Sequence, residues 1–277
     1  MPELPEAETV RRGVAAAFTG RRIAAVDATG VRSTRRHPTP AHFAERVAGR
    51  TLTGVRRVGK FIVAGLDDGG AFVVHLGMSG QLVRATAPDV PRPAHTHVAW
   101  RFDDAAAGEE LRFVDPRTFG QVWATTGDVP ELAHLGPDAL DGLATWRDLA
   151  RLVEGRTTRL KALLTDQRRL AGIGNIYADE SLFAAGLAAD RPAGSLRPAE
   201  VRRLHGAITD ILAAAVQARG SSLADQQYRD LDGMTGTFQH RHAVYGREGK
   251  PCVRCGCPIV RAVVGGRSGF SCPRCQR

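Results

Sequence analysis

The chain has 277 residues, with 38 Lys and Arg against 29 Asp and Glu, a net charge of +9 and a pI near 10.0. At 43% apolar and 24% charged it is neither disordered nor fibrous, and its length allows two domains and a small appendage. No apolar run is long enough to span a bilayer, and the acidic opening Met1-Pro2-Glu3-Leu4-Pro5-Glu6 is unlike a secretory signal, so a soluble intracellular protein with an anionic partner is expected.

The first element reads as a helix. Pro5 suits a first helical turn, and Glu6 and Glu8 suit the positive end of the helix dipole. Val10, Val14 and Phe18 recur at helical spacing, and Gly20 ends the run. From about Arg22 to Ala124 the pattern is that of strands. Phe61 to Leu66, the turn Asp67-Asp68-Gly69-Gly70 and Phe72 to Leu76 read as a hairpin. Val98, Trp100 and Phe102 alternate, as do Leu111 and Phe113, and a loop with Pro88, Pro91 and Pro93 lies between these strand groups. The N-terminal half is thus expected to be one helix on a β-rich domain.

From about Glu131 the periodicity is helical, with helices expected at Trp146 to Val153, Leu160 to Leu164, Tyr177 to Ala185 and Pro198 to Arg219. Gly220 to His240 is polar, holds three glycines and lacks periodicity, which predicts a mobile loop. Boundaries near 130 and 241 divide the chain into 1–130, 131–240 and 241–277.

The last segment carries all five cysteines. Cys252 and Cys255, then Cys272 and Cys275, make two Cys-x2-Cys pairs at zinc-ribbon spacing, with Gly256 and Pro273 suited to the tight turns. Two disulfides are the alternative, and the intracellular expectation argues against them. One structural zinc ion follows; a site closed by four thiolates has no open position for chemistry. Cys257 is surplus to the four. Arg241 to Arg277 also holds eight Lys or Arg against one acid, so this tail supplies seven of the nine net charges. Arg254, Arg261, Arg267 and Arg274 on a metal-stapled hairpin fit phosphate or groove contact.

Removal of Met1 leaves Pro2 as a free secondary amine, whose ordinary pKa of about 7.7–8.0 is lowered by a following helix start. Such an amine can attack a sugar C1′ and form an iminium, with Glu3 and Glu6 close enough to donate or relay protons. Only three lysines occur, Lys60, Lys161 and Lys250, so each invites the question of what an amine does there that arginine does not.

The motifs Met1 to Glu6, His75-Leu76-Gly77-Met78-Ser79-Gly80, Asp115-Pro116-Arg117-Thr118-Phe119-Gly120, Gly172-Ile173-Gly174-Asn175-Ile176-Tyr177 and Val244-Tyr245-Gly246-Arg247 before the ribbon occur in that order. Together they resemble the formamidopyrimidine-DNA glycosylase family, bacterial enzymes that remove oxidised purines. Leu4 favours this group over the related endonuclease VIII group, which usually has glycine there. The resemblance implies an α+β protein of two domains. An N-terminal β-sandwich with a leading helix would be followed by a helical helix–two-turns–helix domain ending in the zinc ribbon.

Residue by residue, the resemblance implies that Pro2 is the nucleophile and that Glu3 protonates the opened deoxyribose and assists base departure. Lys60 would be the proton donor for β-elimination, and Arg267 the hairpin arginine that contacts the flanking phosphates and serves δ-elimination. Met78, Arg117 and Phe119 would fill the gap left by a flipped nucleotide; their residue types alone would put Met78 and Phe119 in the core. Asn175, His95 and, more loosely aligned, Arg156 match DNA contacts. The chain departs from the pattern at Thr118, where a second basic residue is common, and at Met234, where a lysine is common. The implied activity is a glycosylase and AP lyase for 8-oxoguanine and formamidopyrimidines in damaged double-stranded DNA. It would be carried out by a cytoplasmic, nucleoid-associated bacterial monomer. The alternatives are an endonuclease VIII-like enzyme for oxidised pyrimidines and a zinc-ribbon DNA-binding protein without catalysis.

Overall fold

Helix α1 (Leu4–Phe18) begins where expected, with Glu3 at its N-cap and the Glu6 carboxylate accepting the Glu3 N–H at 2.7 Å. Its stripe of Val10, Val14 and Phe18 is at most 1% exposed, and Gly20, at φ +85°, turns the chain out. These facts come from a computed structural model that describes residues 2–87, 90–103, 109–223 and 228–277; Met1, Pro88 and part of the 220–240 loop lie outside them. The described residues form two units, Met1–Ala133 with Ala218–Thr237, and His134–Gln217 with Phe238–Arg277.

The first unit is built on two four-stranded antiparallel sheets. One runs β1 (Ile23–Ala28), β6 (Thr96–Phe102), β7 (Glu110–Val114), β5 (Gln81–Ala85). The other runs β2 (Leu52–Val58), β3 (Phe61–Leu66), β4 (Gly70–His75), β8 (Gln121–Thr126). Side chains of both sheets share one core with α1, and Phe72 of β4 stacks on Trp100 of β6 with ring centroids 5.1 Å apart. This is a β-sandwich with a leading helix.

A second helix, α2 (Pro40–Val47), corrects the expectation of a single helix in this half. Thr39 caps it by accepting the His42 N–H, Pro40 opens it, and only Phe43 and Val47 are buried, so its apolar signal is two residues long.

The segment Ala218–Thr237 is also more ordered at its described ends than a mobile loop. Leu231 enters the sandwich core, its carbonyl accepts the Arg84 N–H at 2.9 Å, and the Ser222 hydroxyl bridges the Tyr228 carbonyl and the Gly236 N–H.

The second unit holds α3 (Trp146–Val153), α4 (Leu160–Thr165), α5 (Asn175–Ala185) and α6 (Pro198–Gln217), then the ribbon strands β9 (Val260–Val264) and β10 (Arg267–Ser271). Glu180 of α5 is buried, and its carboxylate accepts the N–H groups of Ala243, Val244 and Tyr245 at 2.8–3.0 Å. That bond set fastens the Val244-Tyr245-Gly246 segment, and with it the ribbon, to the helix.

Candidate functional site

Pro2 and Glu3 are buried at the start of α1, Glu3 being 1% exposed. Glu6 is committed twice to backbone, its two oxygens taking the N–H groups of Glu3 and Ser221, each at 2.7 Å. It therefore anchors the 220 loop, which goes against the proton-relay role considered for it. Gly220 packs there so closely that a Cβ would lie 2.5 Å from Glu6 Oε1.

Lys60 sits in the tight β2–β3 turn after Gly59, whose φ is +58°. It is 8% exposed, unlike a solvated lysine at a strand end. Arg57, its side chain 2% exposed, pairs with Glu8 at 3.3 Å and donates to the Gly59 carbonyl at 3.0 Å, joining α1 to this turn. Burial raises the Glu8 carboxyl pKa, but hydrogen bonds from Arg11 and Arg12 and the Arg57 charge hold it below the usual range.

His75 pairs across the strand with Phe61, their rings 4.7 Å apart. Burial, then the charges of Lys60, Arg35 and Arg36, push it down to about 4, so it is a neutral imidazole at neutral pH. Sequence reasoning gave it no role. It stands inside a recognisable motif, but its half-buried place near a lysine is a tertiary fact.

The three proposed wedge residues are brought together and turned outward. Met78 is 38% and Phe119 47% exposed, Arg117 Nη2 lies 3.8 Å from Met78 Sδ, and the Arg117 guanidinium lies 5.2 Å from the centre of the Phe119 ring. What holds two loops in this register is Asp115, fully buried. Its carboxylate accepts the Ser79 hydroxyl at 2.5 Å and the N–H groups of Gly120 and Arg117 at 2.7 and 3.3 Å. Gly77, at φ +63°, lets the loops touch: a Cβ there would lie 2.5 Å from the Gly120 nitrogen. His95 is exposed, in the left-handed region at φ 65°, and its carbonyl accepts the Asp115 N–H at 3.0 Å. Arg35 donates to the Gly120 carbonyl at 3.2 Å, adding a cation to this loop that the sequence did not single out. Met234 is 52% exposed in a turn organised by Asp230, whose carboxylate accepts the Asp232 and Met234 N–H groups.

In the second unit Asn175 opens α5, with Gly174 as the N-cap, and its side-chain Oδ1 is buried without a hydrogen-bond partner. The Gln167 amide braces the preceding turn, donating to the Ile173 carbonyl at 2.8 Å and accepting the Gly172 N–H at 2.9 Å. Together these fix the loop that leads into the start of α5. Arg156 is exposed in the loop after α3, its backbone packed against Gly194.

The thiols of Cys252, Cys255, Cys272 and Cys275 all lie within 4.8 Å of one another, with Cys252 to Cys275 at 3.9 Å and Cys255 to Cys272 at 3.5 Å. Zn–S bonds of about 2.3 Å in a tetrahedron put sulfurs about 3.8 Å apart, so the four fit one structural zinc ion. Cys257 is outside this group; its carbonyl takes the Cys252 N–H at 2.8 Å.

The ribbon arginines divide. Arg267 is exposed at the start of β10, after the two-residue turn Gly265-Gly266, both at positive φ. Arg261 reaches across the ribbon to the Ser268 hydroxyl. Arg254, expected to face phosphate, instead donates to the carbonyls of Phe183 and Ala184 at 2.8 and 2.9 Å and stacks over Phe183, capping the negative end of α5.

This is the construction of a DNA-repair enzyme with a zinc finger, and comparisons give the family. Residues 1–122 match the formamidopyrimidine-DNA glycosylase N-terminal domain, 135–227 its H2TH domain, and 249–277 the zinc finger found in FPG and IleRS. A formamidopyrimidine-DNA glycosylase from Salinispora arenicola is 46% identical, covering 100% of this chain and 96% of its own. The crystal structure of the MutM (Fpg) protein from Thermus thermophilus superposes with a TM-score of 0.86 at 41% identity, covering 99% of this chain and 98% of that one. Wild-type Lactococcus lactis Fpg, in complex with DNA containing an N7-benzyl-Fapy-dG, gives a TM-score of 0.88 at 31% identity over 100% of both chains. The chain belongs to the formamidopyrimidine-DNA glycosylase family.

Proposed function

We propose that this protein is a base-excision repair DNA glycosylase and AP lyase that removes 8-oxoguanine and formamidopyrimidines from duplex DNA. The observation that carries this reading is the family match along the whole chain; the Pro2 and Lys60 that the resemblance singles out are both buried.

After Met1 is removed, the Pro2 nitrogen attacks C1′ of the flipped nucleotide, the glycosidic bond breaks, and the base leaves with its electron pair and takes a proton. Glu3, buried beside Pro2, serves that proton transfer. Pro2 gives up its N–H proton, the C1′–O4′ bond then breaks with its electron pair going to O4′, Glu3 protonates that oxygen, and the resulting iminium acidifies C2′. Loss of the C2′ proton expels the 3′-phosphate, with Lys60 as the proton donor; an amine can exchange a proton where a guanidinium cannot. A second elimination expels the 5′-phosphate and leaves a one-nucleotide gap, with the exposed Arg267 stabilising the departing charge. Base flipping costs a few kcal/mol. Phe119 wedges the stack, Met78 fills beside it, and Arg117 pairs with the orphaned cytosine. Asn175 and the α5 start, His95 and Arg156 bind backbone phosphates.

The functional division is a catalytic β-sandwich at 1–130, a helical DNA-binding segment at 131–240, whose lesion loop within Ala218–Thr237 packs with the sandwich unit, and a zinc finger at 241–277. The zinc ion holds the hairpin in shape and does no chemistry. No helix among the described residues is long and apolar enough to cross a membrane. The protein acts as a monomer in the bacterial cytoplasm, held at the nucleoid by DNA.

Met234 in the lesion loop makes substrate choice the point to test. Duplexes carrying 8-oxoguanine opposite cytosine or thymine glycol opposite adenine, cleaved side by side, separate the readings. Faster cleavage of the 8-oxoguanine duplex is expected. Preference for thymine glycol would assign an endonuclease VIII-like enzyme, and binding without cleavage a DNA-binding protein.

A further inference from the structure

Lys161 of α4 and Asp179 of α5 form an ion pair sealed inside the second unit. Nζ lies 2.7 Å from Asp179 Oδ1, and each side chain is 1% exposed. Burying two charges costs desolvation energy that their attraction offsets only with good geometry, so a hydrophobic pair would stabilise the unit equally well. What distinguishes this pair is where its remaining hydrogen bonds go. Lys161 Nζ donates to the Ser268 carbonyl at 2.8 Å, and Asp179 Oδ2 accepts the Phe270 N–H at 2.9 Å. Between those two backbone groups is Gly269, packed so closely that a Cβ would lie 2.9 Å from Nζ. The pair therefore grips β10 one and three residues beyond Arg267.

The ribbon needs such a grip. A two-stranded ribbon is marginal by itself. The zinc thiolate Cys272 holds β10 only at its far end, five residues from Arg267, or about 16 Å at 3.3 Å per residue. Lys161 also has a reason to be an amine. One compact head serves a carboxylate and a carbonyl together, close against the Gly269 backbone.

We infer that Lys161 and Asp179 are positioning residues that set Arg267 on the phosphate leaving in the second elimination. The inference rests on the role proposed for Arg267. In that step a proton leaves C4′, the C5′–O bond breaks and its electron pair departs with the phosphate. A cation displaced by an ångström loses most of its effect on such a leaving group. The nucleophile and the first elimination use Pro2 and Lys60 and do not need the grip.

The test uses zinc-loaded full-length protein on an 8-oxoguanine:cytosine duplex, reading the ratio of 3′-phosphate to 3′-unsaturated-aldehyde ends alongside borohydride-trapped adduct. Asp179→Asn and Gly269→Ala are expected to lower that ratio roughly tenfold or more, with trapped adduct and zinc content near wild type. Gly269→Ala leaves both charges in place and carries the test if Asp179→Asn does not fold. Arg267→Ala must lower the ratio as well. If it does not, the Arg267 role is wrong and the inference falls with it. If Arg267→Ala lowers the ratio while both other variants leave it unchanged, or reduce adduct and both products in parallel, Lys161 and Asp179 are structural only and the inference is overturned.

Discussion

At the scale of single residues, Lys60 and Phe119 behave differently from what their types predict in isolation. Lys60 is a lysine withdrawn from solvent, and Phe119 is an aromatic ring offered to it. The first has chemical reason to be an amine. Lys60→Arg keeps the charge and loses the proton exchange, so it is expected to depress strand cleavage far more than base release. Comparing gel cleavage with and without alkali reads that difference, and equal losses would remove Lys60 from the elimination step. Phe119, 47% exposed, adds little to the fold. Phe119→Ala should shift unfolding by no more than about 0.5 kcal/mol while lowering kcat/KM on the 8-oxoguanine duplex by roughly ten- to a hundredfold. A large loss of thermal stability with normal turnover would show that Phe119 is a packing residue after all.

At the scale of elements, the functional loops are held by buried carboxylates. Asp115 joins the two wedge loops, Glu6 joins α1 to the 220 loop, and Glu180 joins α5 to the segment before the ribbon. Each accepts backbone N–H groups that would otherwise be buried without partners, at about 1–3 kcal/mol apiece. Glu200, at the start of α6, gives a pH test. Hydrogen bonds from the Arg191 side chain and the Arg197 N–H, with the charges of both, lower it to about 2 from an ordinary 4.5. A depressed folded-state pKa stabilises the fold above the unfolded value and stops doing so as pH falls through the folded one. The Tm difference between the wild type and Glu200→Gln should therefore be present above about pH 4.5 and close as pH approaches 2. Comparing the two proteins cancels acid release of zinc, which is common to both. A gap that stays constant across this range would contradict the assignment.

At the scale of the whole molecule, what can be read from sequence is what local spacing encodes. The four zinc cysteines, the stripe of α1, the β3–β4 hairpin and the helices α3 to α6 follow from neighbours in the chain. Helix α2 escapes such a reading because its signal is a cap and two buried side chains. The outward turn of Met78 and Phe119, the inward turn of Arg254 and the partners of Lys161 are illegible because each depends on residues tens of positions away. Zinc ties charge to shape here, since the ribbon carries most of the basic surplus. Cys272→Ser should release the ion, weaken DNA binding and flatten its dependence on salt by about one unit of slope for each phosphate no longer neutralised. Unchanged affinity and slope would mean that the ribbon does not touch DNA.

The central claim is a covalent one: the Pro2 nitrogen becomes bonded to C1′ of the damaged nucleotide. Borohydride reduction of zinc-loaded protein on an 8-oxoguanine:cytosine duplex tests it most directly. The account predicts a stable protein–DNA adduct from the wild type, with peptide mapping of the adduct placing the attachment on the Pro2 nitrogen. No adduct from intact wild-type protein, or attachment through a lysine instead, would contradict it.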